Sequence, residues 1–451
     1  MSRQSLLVRL GLGRPELRAW AMYDWAASAV QTTIMVAVFP IYFVKVAGAG
    51  IAEGGATQRL ATINSIALGI IALASPVLGA ISDYRAAKKR FTATFMALGI
   101  VACCGLFLVH TGDLDLASWL FILIMVGVAG SYVFYEALLP HLAGPGEIDR
   151  VSAAGYAVGY LGGGVLLALN LAWIQMPGLF GLPSGPGLGE SDATLPARLA
   201  FLSVAVWWAL FSIPLFRRVP EPPARIERDE RTGESPVRAA FVRLGETFRE
   251  LRSYRQAFLM LLAFLIYNDG IQTIIKMATA YGTEIGIGQS ALIGAILLVQ
   301  FVGIPCTFLF GSVAGRIGAK RSLFLGLLAY TVISILGFYM TNATHFYILA
   351  GLVGMVQGGT QALSRSLFAG MIPQHKSGEF FGFFSIFEKF AGIFGPLIFA
   401  GTIAATGSSR NAILSVIGFF AMGAALLALV NIEEGQRVAR EVEREVSAMS
   451  S

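Results

Sequence analysis

The sequence predicts an all-α membrane protein of about twelve transmembrane helices, arranged as two six-helix bundles. Three observations predict it. The chain of 451 residues is 56% hydrophobic and only 13% charged, with a mean hydropathy of +0.70, more apolar residue than an aqueous core needs. Runs of about 20 apolar residues, long enough to cross a bilayer core as helices, recur almost without pause. Text from the first half also reappears in the second.

The apolar runs place spans near 18–44, 60–82, 91–110, 116–139, 151–175, 198–216, 255–282, 290–314, 322–341, 344–369, 379–405 and 411–431. A membrane barrel does not fit, because its strands need only ~10 residues each. Orientation follows from Lys and Arg. With the N-terminus inside, the inner segments hold all but six of the 33 basic residues. Lys45, Arg59, Arg198 and Arg410 lie at outer ends, and Lys276 and Lys389 inside spans. This bias puts both termini in the cytoplasm. It also accounts for the net charge of +6, so nucleic acid is not an expected partner. Met1 to Arg18 carries four arginines and no cleavable apolar core, so no signal peptide is read there. The localisation expected is a bacterial inner (plasma) membrane.

Four segments follow: an N-terminal bundle (1–216), a cytosolic linker (217–254), a C-terminal bundle (255–432) and a cytosolic tail (433–451). The linker is Arg-rich and opens with Pro220, Pro222 and Pro223. Phe241, Leu244, Phe248 and Leu251 recur in it at helical spacing, as in an amphipathic helix on an anionic lipid surface; a solvated helix is the alternative. The Gly- and Pro-rich stretch Met176 to Pro196 reads as an external loop. The charged tail reads as a short cytosolic helix.

The repeat has one offset. Gly79 and Lys88–Lys89 find Gly311 and Lys320–Arg321 at 232 residues, and Pro140 finds Pro373 at nearly the same distance. The loop text Gly79-Ala-Ile-Ser-Asp83-Tyr-Arg85-Ala-Ala-Lys88-Lys89-Arg90 resembles the cytoplasmic loop motif of the major facilitator superfamily. The resemblance implies that superfamily's fold, and a latch in which Asp83 faces the N-terminal end of a neighbouring helix, near Glu379 to Gly382. Arg85 and the other basic residues would then pair across the interface between the halves. The second copy has Gly315 where the first has Asp83, so that latch looks weaker.

A narrower resemblance covers most of the chain. Tyr23-Asp24-Trp25-Ala26, Phe39-Pro40-Ile41-Tyr42-Phe43 and the glycine series from Gly155 to Gly163 are similar to the bacterial "unknown major facilitator" branch. Tyr267-Asn268-Asp269-Gly270, Gln357-Gly-Gly-Thr-Gln361-Ala-Leu-Ser364-Arg365-Ser366 and Glu379-Phe-Phe-Gly382 fit the same pattern. That branch is related to the fungal autophagy-linked vacuolar amino-acid effluxers. Glu136 departs from it, standing where an asparagine is expected. The arginine-containing fourth-span motif of drug–proton antiporters is absent, so the resemblance does not imply proton antiport.

Enzyme signatures are missing: no His-Glu-x-x-His, no Gly-x-Ser-x-Gly and no phosphate-binding Gly-x-x-x-x-Gly-Lys occurs. No catalytic residue, metal ligand or cofactor is expected. Cys103, Cys104 and Cys306 lie in apolar runs and read as small buried hydrophobes.

Charges inside spans cost ~3 kcal/mol or more and need a reason. Asp24 lies roughly 10 Å into span one and Asp269 roughly 20 Å into span seven, at 1.5 Å per helical residue. Asp269, Gln272 and Lys276 share a face, and Gln357, Gln361, Ser364 and Arg365 form a stripe on span ten. In the superfamily fold, spans one, four, seven and ten line the central cavity. Asp24, Asn268, Asp269, Gln272 and Gln361 are therefore the candidates for a substrate or proton cavity. For Asp269 and Asp24 a structural or gating bond is the alternative. Asp83, Arg85, Glu136, Arg365, Glu388 and Lys389 are the candidate gate or charge partners. Glu388 and Lys389, adjacent on a helix, point about 100° apart and cannot simply neutralise each other.

The expected function is secondary transport of a small polar solute, by resemblance an amino acid, outward by alternating access. Asp269, and Asp24 with it, would bind an ammonium group or a coupling proton; Arg365 or Lys276 would meet a carboxylate. Protons or another coupling ion and membrane lipids are the other partners. The competing readings are a proton-coupled drug or sugar exporter, and a receptor or scaffold that has kept the fold without transport.

Overall fold

The computed structural model describes residues 7–51, 55–144, 146–185, 187–223, 254–391, 394–406 and 409–450. The linker positions carrying the expected amphipathic helix, and the side chain of Lys389, lie outside the described residues.

The chain runs through helices α1 (Pro15–Ala47), α2 (Gly55–Tyr84), α3 (Lys88–Leu108), α4 (Leu114–Leu142), α5 (Ile148–Gln175) and α6 (Glu190–Arg218). After the linker come α7 (Arg255–Glu284), α8 (Gln289–Ile317), α9 (Ala319–Phe338) and α10 (Ala343–Gly370). Then follow α11 (Ser377–Phe390), α12 (Phe394–Thr406), α13 (Arg410–Leu429) and α14 (Ile432–Ser450). Among the described residues ten helices are long and apolar enough to cross a membrane: α1, α3 to α10 and α13. The other two expected spans fall on α2 and on the pair α11 and α12. That pair is interrupted where Ala391 turns extended after Phe390.

Two features of the elements have local causes. Pro40 lacks an N–H, so it cannot continue the ordinary i→i−4 ladder of α1. The helix widens instead into a π-helical stretch, Val30–Ala37, with Val38 N–H bonded to Thr33 O at 2.8 Å. The tail helix α14 lies on α7 and α10. Gln256 clamps its start, accepting from Asn431 N and donating to Glu434 Oε2.

Within the first six helices, α1 packs on α5 and α6, and α4 on α2 and α3. Within the later ones, α10 packs on α8 and α9, and α7 on α13. Contacts across these groups run along two seams, α2 with α11 and α5 with α8 and α10. The repeated glycines sit one in each seam. A Cβ on Gly79 would lie 2.2 Å from Gly378 O, and one on Gly311 would lie 2.7 Å from Ala153 Cβ. Close backbone approach between helices is the reason small residues belong there.

The basic residues of the repeat are used differently from expectation. Lys89 Nζ donates to Phe216 O and Val219 O at the end of α6. Lys320 Nζ donates to Ala428 O and Val430 O at the end of α13. Each lysine thus satisfies orphan carbonyls at the C-terminus of a helix in its own group, α1 to α6 or α7 to α13. The structural counterpart of Lys320 is therefore Lys89, one residue off the alignment by glycine.

Candidate functional site

The site is built around Arg365, on the face of α10 that meets α5. Its side chain is 1% exposed. Nε donates to Ser152 Oγ and Nη2 to Ser152 O, both at 3.0 Å. Nη2 lies 3.6 Å from Asp24 Oδ2 on α1, and Nη1 lies 3.5 Å from Glu136 Oε1 on α4. The guanidinium is stacked over the rings of Tyr156, at 4.4 Å, and Trp20, at 5.0 Å. Tyr135 Oη donates to Asp24 Oδ2 at 2.7 Å. Gly155 makes the arrangement possible, since a Cβ there would lie 2.4 Å from that same oxygen.

One guanidinium thus meets two carboxylates, from three helices. Buried charges persist only when paired and hydrogen-bonded. Arg365 fits this requirement better than Lys, because its planar fork reaches several acceptors at once. Counted formally, the triad carries one negative charge more than positive.

The two acids of the triad line a cavity of about 650 Å³. Asp24, Ser28, Gln31 and Thr32 of α1 line it, with Tyr132 and Glu136 of α4 and Tyr156 and Tyr160 of α5. From the later helices come Gln272 and Lys276 of α7, Gln300 of α8, Gln357 and Gln361 of α10, and Glu388 of α11. The rest of the wall is mostly apolar, with Thr273, Tyr281 and Ser334 among it, and is supplied mostly by α7 to α10, including Ile274, Met277, Ile296, Val299, Leu349 and Val353.

Beyond the triad, on the side of the basic loops, the two groups of helices touch. Asp83 Oδ2 accepts the Glu379 N–H at 2.9 Å, in the first turn of α11. Its other oxygen pairs with Lys88, itself buried. His141 Nε2 lies 3.0 Å from Ser377 Oγ, Ser377 Oγ donates to Ala137 O, and Gln374 Nε2 donates to Pro140 O.

Several sequence expectations are corrected here. Asp269 and Asn268 do not line this cavity. Asp269 is 1% exposed and its Oδ2 accepts the Gly395 N–H at 3.0 Å, at the start of α12. Asn268 Oδ1 accepts from Gln361 Nε2 at 2.7 Å. Gln272 and Gln361 do line the cavity. Arg365 is not part of the lining, because both acids and Ser152 enclose it. Arg85 is exposed, and Lys88 rather than Arg85 pairs with Asp83, within one loop rather than across the halves. Glu388, expected as a gate partner, faces the cavity. Sequence reasoning missed Ser152, Tyr135 and Tyr156. Tyr156 lies within the glycine series from Gly155 to Gly163, whose small residues hinted at close packing there.

A protein-family model described as "Vacuole effluxer Atg22 like" matches residues 59–148 and 145–440. The chain belongs to this family. It is 34% identical over 424 residues to an uncharacterized MFS-type transporter, YxiO, of Bacillus subtilis (strain 168), covering 94% of this chain and 96% of that one. It is 27% identical to Autophagy-related protein 22 of Yarrowia lipolytica, over 65% of this chain and 52% of the fungal one. The match thus spans about half the length of that fungal relative. Among solved structures it resembles the proton:xylose symporter XylE bound to 6-bromo-6-deoxy-D-glucose. There the TM-score is 0.66 and the identity 14%, over 95% of this chain and 97% of the other. The Atg22-like chain therefore has the major facilitator fold. It is an integral membrane transporter of that superfamily, not an enzyme.

Proposed function

We propose that this Atg22-like protein moves amino acids outward across a bacterial inner membrane by alternating access, with both termini in the cytoplasm. The carrying observation is the cavity lined by the two acids of the Asp24–Arg365–Glu136 triad. Its polar surfaces have both signs. Asp24, Glu136 and Glu388 suit an ammonium group, and Lys276 suits a carboxylate. The apolar wall suits a solute with an apolar side chain. In this reading the described state is closed on the cytosolic side at the Asp83 and Ser377 contacts, with the cavity on the external side of the triad.

The meeting of two acids on one guanidinium beside the cavity supports a coupling role as well, since a proton taken up by either acid would change how Arg365 is held. Alternation then consists of breaking the two seams while the triad changes partners. The apolar wall also favours a second reading, export of amphiphilic drugs. Purified protein in liposomes separates these. Uptake and efflux of labelled amino acids, with and without a pH gradient, should show saturable amino-acid exchange. Exchange of cationic dyes without exchange of any amino acid would support the drug reading instead.

A further inference from the structure

Tyr156 joins the triad through its ring and leaves its hydroxyl unused. On α5 it stands one helical turn beyond Ser152, so the two residues share a face. Ser152 Oγ and O accept from Nε and Nη2 of Arg365 at 3.0 Å, and the guanidinium then lies over the Tyr156 ring, 4.4 Å from its centre. Gly155 leaves room for this, since a Cβ there would lie 3.1 Å from Arg365 Nη2. A cation over a tyrosine face is attracted by the ring itself, and the hydroxyl is not needed for that contact.

The same side chain, half-buried, lines the cavity together with Asp24, Glu136 and Glu388. Those acids and Arg365 are the charged groups that bear most on Tyr156. Two of the acids are already engaged by the protein. Asp24 accepts from Tyr135 Oη and faces Arg365, and Glu136 faces Arg365 as well. The Tyr156 hydroxyl, in contrast, has no hydrogen-bond partner among the described residues. A phenol hydroxyl can both donate and accept. Left unmet once solute has displaced water from a largely apolar cavity, it would be destabilising.

A primary ammonium brings three N–H donors. The acids around Tyr156 favour a cation there, and Oη is an acceptor that the protein has not already used. The stack on Arg365 holds that acceptor in place. Resting on the transport reading of this cavity, we propose that Tyr156 is a specificity-determining residue: its Oη accepts one N–H of the solute's primary ammonium group while its ring holds Arg365.

The test separates ring from hydroxyl and ammonium from carboxylate. Equilibrium binding to the purified full-length protein is measured for leucine, for isoamylamine, which is leucine without its carboxylate, and for isocaproate, which is leucine without its ammonium. Tyr156→Phe should weaken leucine and isoamylamine about tenfold, the factor of one net hydrogen bond to a charged donor, and leave isocaproate unchanged. It should unfold at the parent's temperature, because phenylalanine keeps the ring over Arg365. Tyr156→Leu loses ring and hydroxyl together, so it should weaken both ammonium ligands at least as far and also unfold earlier. Binding of isoamylamine without binding of leucine would set aside the amino-acid reading alone, and the role of Tyr156 is then read from the amine. The proposal is overturned if the parent binds neither ammonium compound, or if Tyr156→Phe binds both as the parent does. An equal loss for isocaproate, or Tyr156→Phe unfolding earlier than the parent, overturns it too.

Discussion

Removing the guanidinium from the triad is the perturbation with the largest expected consequence. Arg365→Met keeps much of the side-chain volume and deletes the charge. It leaves Asp24 and Glu136, 4% and 6% exposed, without their shared cation, and Ser152 without the donor to its Oγ and O. Breaking a buried ion pair by removing one partner costs roughly 3–5 kcal/mol, because the remaining charge is stranded. Two acids and one cation put this site toward the upper part of that range. In detergent the variant should unfold at clearly lower temperature or denaturant concentration than the parent. Arg365→Lys should fall between them, since one ammonium cannot match the fork at Ser152 and both acids. The triple variant Asp24→Asn, Glu136→Gln, Arg365→Met removes every stranded charge. It should regain most of the lost stability while failing to bind solute. An Arg365→Met protein as stable as the parent would refute the reasoning, as would a triple variant that regains nothing.

Four further outcomes follow from the same geometry. Asp83→Ala removes the acceptor for Glu379 N–H and strands buried Lys88; inner-side cysteine labelling should rise and the transport rate should fall more than solute affinity, and unchanged labelling would remove the latch. Gly79→Val places a Cβ 2.2 Å from Gly378 O, so the α2–α11 seam should not close; cross-linking of cysteine pairs across that seam should be lost while the α5–α8 seam still cross-links. Lys320→Met leaves Ala428 O and Val430 O without their donor and should cost on the order of 1 kcal/mol, the scale of a net hydrogen bond; Lys89→Met should cost a similar amount, and a large difference would break the proposed equivalence of the two loops. Glu388→Gln should weaken binding of a zwitterionic solute more than that of an uncharged analogue, measured by equilibrium binding.

Sequence and structure agree where the signal is long and repeated. The apolar runs mark the helices because only a full helix satisfies its own backbone in lipid. Asp83 and Gly79 were legible because motif and offset pointed at the same seam. Arg365 and Glu136 were readable as partners, each being a costly charge near the same ends of their spans. Asp269 was legible only as the alternative of a structural bond, without its partner. A carboxylate deep in a span announces that it needs donors, and the sequence cannot say that the donor is a backbone N–H of a broken helix over a hundred residues away. Lys89 and Lys320 were matched one residue wrong because a single-residue difference between loops is invisible beside a strong glycine. The π-helical stretch of α1 had its signal in Pro40, which only says that the ladder must change, not how.

The central claim is that solute passes through the cavity above the triad. Counterflow of labelled leucine in proteoliposomes, comparing the parent with Ile296→Trp, tests it most directly. Ile296 lines the cavity and takes no part in the triad or the inner-side contacts described above, so tryptophan there should fill space without touching the charges. The account predicts rapid counterflow in the parent and strong loss in Ile296→Trp, with both proteins equally stable to heat. Undiminished counterflow in Ile296→Trp would contradict it.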